Sequence, residues 1–199
     1  EYYNCSYYDF YYEDWWGNGH KNGSGFVIVA GYNGTNVNIN LKGRGKGYAK
    51  TVGGREIGET INVSMNKGET YYVQGNSEVS TIFDMTGTEI TSNRPVGVIS
   101  CHLKTMIPGQ IPMRWYRDFY GDNLMEMLMP SDKWGKSFVS VELNRSKTGN
   151  RSGKGDIFRA VTAEPNNSLE CKYYNRNSGK IVGQSPSVLN QPGKFSEHR

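Results

Sequence analysis

Long hydrophobic runs are absent from this chain of 199 residues. A helix needs roughly 18 or more apolar residues in a row to cross a membrane, and no stretch of the sequence approaches that length. The sequence therefore predicts no membrane span. The chain also begins with Glu-Tyr-Tyr rather than with a basic stretch followed by an apolar one, as a secretory leader would. We expect a mature or excised piece of a longer protein.

Cysteine and histidine are scarce, with three of each. Cys5, Cys101 and Cys171 are too few and too far apart for a disulfide scaffold, and they lack the paired short spacing of a zinc site. One disulfide plus an odd thiol stays open, and in an oxidising compartment the odd thiol would need a partner outside this chain segment. The three histidines are isolated, so neither a Ser-His-Asp triad nor a metal site has support. We expect no metal and no cofactor.

A strong excess of one charge is also missing. Lys and Arg number 23 against 19 Asp and Glu, a net charge of +4, which is too small for a dedicated nucleic-acid surface but compatible with an anionic glycan. Two glycine-rich basic loops, 42–50 and 144–155, could bind such a glycan, the first through Lys42, Arg44 and Lys46. The alternative is that both are solvated hairpin loops.

N-glycosylation sequons, in contrast, are abundant. The pattern Asn-x-Ser/Thr occurs seven times, whereas the Asn and Ser/Thr content predicts about 2.7 by chance. The acceptors are Asn4, Asn22, Asn33, Asn62, Asn144, Asn150 and Asn166. This excess predicts a secreted, extracellular glycoprotein; the alternative is that Asn-rich loops produce sequons cheaply.

The hydrophobic pattern is that of β-strands from Phe26 onward. Three hairpins are predicted, within 26–41, 61–74 and 89–99, each around a turn rich in Asn, Gly or Pro. Residues 137–143 and 156–163 predict two further strands. We therefore expect an all-β, antiparallel, sandwich-like fold. A β-propeller is the alternative, because repeated hairpins could equally form blades.

Three segments are expected along the chain. Residues 1–25 are rich in aromatics and suit either an interface or an edge strand that covers a core. Residues 26–155 form a β-rich unit. The stretch 26–35 resembles 158–168, with a sequon in the turn of each, so residues 156–199 are predicted to begin a second, truncated β unit.

A long excursion at 105–135 interrupts the strands. It is predicted to hold at most one or two helical turns, from Asp122 to Met129, ended by Pro130. The methionines of this segment are predicted to pack in the core, with an exposed methionine-rich contact surface as the alternative. Long loops are often functional, and aromatics are typical interface anchors. The predicted protein-binding loop consists of Trp115, Tyr116, Phe119 and Tyr120.

Residues 83–101, FDMTGTEITSNRPVGVISC, come close to an aspartic-protease signature. That chemistry needs Asp-Thr/Ser-Gly twice, so that two carboxylates can share a proton. Here Met85 stands between Asp84 and Thr86, and no second copy exists. The pattern instead predicts a structural turn, in which Gly87 supplies an unusual backbone conformation and the Asp and Thr side chains hydrogen-bond its amides.

The ordered motifs between residues 26 and 170 resemble the N-terminal domain of the IgG Fc-binding protein family, found in secreted mucus-associated and cell-surface proteins. The family core D-L-T-G-[ST]-x-I-x-S-x-[KR]-P-V-x-V is similar to residues 84–98. The positions that carry the likeness include Asp84, Thr86, Gly87 and Pro95 in that core, then Asp122, Trp134 and Gly135 in two later motifs.

The resemblance implies a secreted β-rich adhesion or mucus module that is not an enzyme. Its partners would be extracellular proteins or glycans, further domains of the same chain, or other copies of itself. Family members tend to carry Cys where this chain has Gly121, so the resemblance implies that a local disulfide to Cys101 is lost. That thiol is then free, paired with Cys5 or Cys171, or linked to another chain. No residue can be assigned to Fc binding, and polyanion binding and hydrolysis stay as alternatives.

Overall fold

The computed structural model describes residues 1–7, 10–13, 19–46, 49–76, 82–105, 122–140, 158–175 and 177–198. Within these ranges the regular elements are sixteen β-strands and one 3-10 turn, Ser131–Lys133. The strands are β1 (Tyr2–Tyr3), β2 (Phe10–Glu13), β3 (Gly19–Asn22), β4 (Ser24–Ala30), β5 (Thr35–Asn40), β6 (Arg44–Lys46), β7 (Thr60–Met65), β8 (Thr70–Gln74), β9 (Ile82–Asp84), β10 (Glu89–Ser92), β11 (Val96–Thr105), β12 (Asp122–Met127), β13 (Phe158–Val161), β14 (Asn167–Tyr174), β15 (Ile181–Leu189) and β16 (Phe195–His198).

Eight of these strands form two antiparallel four-stranded sheets. The first sheet has the order β1-β10-β5-β7 and the second has the order β12-β11-β4-β8. One apolar core joins them, because alternate side chains of both sheets point into it. Its fully buried members include Phe26, Ile28, Ile39, Ile90 and Val98. The predicted all-β, sandwich-like fold is confirmed.

The three predicted hairpins are wrong as hairpins, although their strands are present. Strands β4 and β5 follow one another through the turn at Gly34, yet they lie in different sheets, as do β7 and β8, and β10 and β11. Each connection therefore crosses from one sheet to the other. Alternation shows which side chains of a strand are buried, but both sheets bury the same kind of face, so the pattern carries no information on strand partners.

The predicted helical turns at residues 122–129 are also wrong. Asp122 to Met127 form β12, which pairs with β11 in a register that sets Met127 opposite Ile99. Of the predicted strand at 137–143, residues 137–140 are irregular and exposed, and the rest lies outside the described residues, as does 106–121 of the excursion.

The C-terminal strands form two small sheets, β13 with β16 and β14 with β15. Close contacts join the first of these to the sandwich. A Cβ atom placed on Gly87 would lie 1.9 Å from the carbonyl oxygen of Gly193, so the two backbones touch there. Lys42 Nζ also donates to the carbonyl oxygen of Pro192 at 3.2 Å. The division into a complete and a truncated unit stays a prediction.

None of the helices in the described part of the chain is long and apolar enough to cross a membrane.

Candidate binding surfaces

The turn after β9 holds the acid that resembled a protease residue. Asp84 is completely buried, and its Oδ1 accepts hydrogen bonds from the backbone nitrogen of Thr86 at 3.0 Å and from its Oγ1 at 2.7 Å. Gly87 has a φ of +91°, a conformation in which a side chain would be strained. Its amide donates to the carbonyl oxygen of Asn4 at 2.7 Å, which fastens the N-terminal segment to the turn.

A buried arginine neutralises that acid. Arg159 Nη1 lies 2.8 Å from Asp84 Oδ2, and Nη2 lies 3.0 Å from Glu197 Oε2. Nη1 also donates to the Ser6 carbonyl oxygen at 2.6 Å and to Thr86 Oγ1 at 2.9 Å. Burial opposes the charge on the guanidinium, but the two carboxylates outweigh it, and the net effect raises the pKa of Arg159.

We call Arg159, Asp84, Glu197, Thr86 and Ser6 the arginine cluster. It ties together the N-terminal segment, the turn after β9, β13 and β16, which is a structural task. The sequence analysis missed its arginine and its glutamate. The signal was the arginine within the short apolar run of β13, but nothing in the sequence pairs it with a residue 75 positions away.

A comparison of the sequence with known families covers the residues of the arginine cluster. The sequence matches the family described as IgGFc binding protein over residues 1–197. The chain belongs to the IgGFc-binding family. The match is longer at both ends than the motif series found in the sequence, and it includes every member of the arginine cluster. No curated protein and no solved structure matches significantly. Membership of the IgGFc-binding family indicates an extracellular binding module.

The later family motifs lie beside the first strand of this IgGFc-binding chain. The Trp134 ring packs at 5.8 Å from the ring of Tyr3, and its Nε1 donates to the Met129 carbonyl oxygen at 3.0 Å. Gly135 lies next to the ring of Phe138. Asp122, at the start of β12, and Pro95, before β11, are exposed.

In the basic loop proposed for anionic glycans, two of the cations have partners within the chain. Lys42 Nζ lies 2.8 Å from Glu89 Oε2, and this hydrogen bond lowers the pKa of Glu89. The Arg44 guanidinium lies 4.3 Å from the centre of the Phe195 ring. The structure does not describe the Lys46 side chain. Glycan binding at this loop stays a prediction.

Two other predicted features are the aromatic loop and the cysteines. The aromatic loop of Trp115, Tyr116, Phe119 and Tyr120 lies outside the described residues. All three cysteines are free thiols, so the structure contains no disulfide between them. Cys101 is half-buried, 4.0 Å from the Tyr72 hydroxyl, and burial raises the pKa of its thiol. Within the described part of the chain, no group of His, Cys, Asp and Glu is arranged to hold a metal ion.

An apolar edge runs along β12, at the margin of the second sheet. Exposed fractions are 67% for both Met125 and Met127 and 65% for Met129, while Leu128 packs against the core. The prediction that these methionines pack in the core is therefore wrong, because all three are exposed. From Met127, a row of side chains in register runs across the sheet through Ile99, Val27 and Tyr72. We call this surface, from Met125 to Tyr72, the methionine edge.

The outer face of the first sheet has the opposite character. Its side chains alternate with buried Val37, Ile39 and Ile61, and nearly all of them are amides or hydroxyls. Part of this face forms a shallow, open depression of about 380 Å³. We call it the polar face; its outward residues in register are Asn36, Asn38, Asn40, Thr60, Asn62, Ser64, Glu89 and Thr91.

Proposed function

We propose that this chain is a non-enzymatic, extracellular binding module of a larger glycoprotein, and that it binds a partner protein through the methionine edge. The observation that carries the proposal is the exposure of Met125 and Met127 on an edge strand. Contiguous exposed apolar surface is typical of protein interaction sites. Flexible methionine side chains can adapt their shape to a partner surface.

The arginine cluster supports the non-enzymatic part of the proposal. A general acid or base must reach a substrate and exchange a proton with it. Asp84 is completely buried and is bonded on both oxygens, to Thr86 and to Arg159. This acid therefore serves the fold, which supports a module that has no catalysis at this motif.

The extracellular part of the proposal rests on the family and on the position of the sequons. Asn33, Asn62 and Asn166 are exposed, and we propose that they carry glycans. Asn4 is completely buried and its Nδ2 donates to the Met85 carbonyl oxygen at 3.1 Å, so we propose that it stays unmodified in the folded chain. Asn144 and Asn150 lie outside the described residues.

The test uses immobilised IgG Fc, because Fc is the partner that the family description names. We expect binding that weakens by about tenfold or more in Met125→Ser/Met127→Ser, as for the loss of an interface anchor. Thr60→Ala, on the polar face, is the matched control and should bind like the wild type. Equal affinity of all three proteins would place the contact elsewhere, and no binding at all would remove Fc as the partner.

A further inference from the structure

The outer edge of β7 lacks the devices that usually prevent two sheets from joining. Its six residues, Thr60 to Met65, contain no charge and no proline, and its register with β5 runs without a bulge. No described residue pairs with its outer backbone groups. A long, regular, uncharged edge of this kind is a template for a strand of another molecule.

The other three edges of the sandwich are better protected. Strand β1 has only two residues. Strand β12 carries Asp122 and Glu126. The end of β8 is covered by the segment that follows Ala49, where the Val52 amide donates to the Gln74 carbonyl oxygen at 2.8 Å. Short strands, charges and covering loops are the usual protection of sheet edges, and β7 has none of the three.

A sequon lies in the middle of β7. Asn62 is exposed, and its Oδ1 accepts a hydrogen bond at 2.7 Å from Nδ2 of Asn38, on the neighbouring strand β5. This hydrogen bond uses the oxygen of the carboxamide, so the Nδ2 atom of the exposed Asn62 is not engaged in it. That nitrogen is the atom to which an N-linked sugar is attached.

We propose that Asn62 carries an N-linked oligosaccharide that covers the edge of β7 and blocks edge-to-edge association. The inference rests on the proposed extracellular, glycosylated role. In the reaction, Nδ2 loses one proton and bonds to the anomeric carbon of a sugar carried on a lipid diphosphate. The bond between that carbon and the diphosphate breaks, and the diphosphate leaves with the electron pair. The polar face beside Asn62 offers amides and hydroxyls to the sugar hydroxyls, and the hydrogen bond from Asn38 orients the Asn62 carboxamide.

The experiment secretes the full chain from glycosylating eukaryotic cells and compares four variants with the wild type. Asn62→Gln and Ser64→Ala both remove the sugar at residue 62. Ser64→Lys also removes it but places a charge on the same edge, and Ser168→Ala removes the sugar at Asn166 instead. Glycopeptide mass spectrometry measures occupancy, and light scattering after gel filtration measures self-association. Circular dichroism confirms that each variant is folded.

We expect Asn62 to be occupied, and the oligomer fraction to rise by about tenfold or more in Asn62→Gln and Ser64→Ala. The wild type, Ser64→Lys and Ser168→Ala should stay monomeric. Folded Ser64→Ala that stays monomeric overturns the proposal, and so does an empty Asn62 beside occupied Asn33 and Asn166; in both cases the glycoprotein function stands. A secreted chain without glycan at any sequon overturns both.

Discussion

Replacing Arg159 by methionine is expected to lower the free energy of unfolding by about 3–5 kcal/mol. The arginine side chain is only 6% exposed, and Asp84 behind it is completely buried. Methionine keeps much of the volume but leaves the carboxylate of Asp84 charged, with the two hydrogen bonds from Thr86 as its remaining partners. The free-energy cost is therefore that of an uncompensated buried charge. The lost hydrogen bonds of the guanidinium are already part of this cost, so no separate free energy is added for them. For a chain of this length, Tm should fall by roughly 6–20 °C.

Urea denaturation followed by intrinsic fluorescence gives the free energy, provided that the slope with denaturant is unchanged. Lys172→Met is the matched control, because it breaks an ion pair with Glu170 of similar length, 3.1 Å, whose side chains are 39% and 53% exposed. Solvent screens that pair, so no clear change is expected.

A third variant separates the charge from the packing. In Asp84→Asn/Arg159→Met both charges are gone, and the loss should be smaller than the sum of the two single losses, because each single variant leaves a charge unpaired. An Arg159→Met variant as stable as Lys172→Met, within about 1 kcal/mol, would refute the assignment of the arginine cluster as the tie between the C-terminal strands and the sandwich.

Three further outcomes follow from local geometry. Gly87→Ala should cost about 2 kcal/mol or more in thermal denaturation, because φ is +91° and the new methyl group would overlap the carbonyl oxygen of Gly193; a neutral effect would contradict the contact. The pKa of Glu89 is lowered by Lys42, so its stabilisation is present above the ordinary pKa of about 4.5 and is lost as the pH falls through the lower pKa of the folded state. Glu89→Gln should therefore show a flatter stability profile in acid, whereas parallel profiles would exclude the pair as the cause. Burial raises the pKa of Cys101, so iodoacetamide should alkylate it at neutral pH more slowly than free cysteine, with a rate that climbs as the pH is raised; equal rates would argue against burial.

The positions of the strands could be predicted from the sequence better than their partners could. Alternation in 37–41 and 61–65 marks the side chains that face the core, because each of them is apolar, whereas 26–30 is a continuous apolar run in which only Phe26, Ile28 and Ala30 are buried. The turn at Asn33-Gly34 resembles a hairpin turn, and local chemistry cannot distinguish a return within one sheet from a passage to the other. Partner choice depends on contacts distant in the chain.

The excursion shows a local preference overruled by pairing. Leucine, methionine and glutamate, which make up all of residues 124–129, favour a helix, and Pro130 would end one. In the structure, the segment instead satisfies the backbone groups at the open side of β11. Helix propensities differ by a few tenths of a kcal/mol per residue, so a set of ladder hydrogen bonds outweighs them.

The binding surfaces were predictable to different degrees. The alternation of Asn36, Asn38 and Asn40 with apolar residues indicates a polar outer face on β5. Only the register with β7 and β10 shows that the outward residues of the three strands form one surface. The methionine edge was present as an alternative. The arginine cluster was not predictable, because Arg159 and Asp84 meet only after the C-terminal strands have packed on the turn.

The crossings between sheets also determine when each strand can find its partners during folding. Among the described strands of the sandwich, β11 and β12 alone pair with the strand that comes next along the chain. Strand β1 pairs only with residues 89 and 90, and β4, which pairs with β8, gains its second partner only at residues 96–102. Folds dominated by such distant pairings have a high contact order and acquire their structure in milliseconds to seconds. During synthesis, neither four-stranded sheet can be completed until about a hundred residues have emerged. The ion pair between Asp84 and Arg159 can form only after the C-terminal strands have been made.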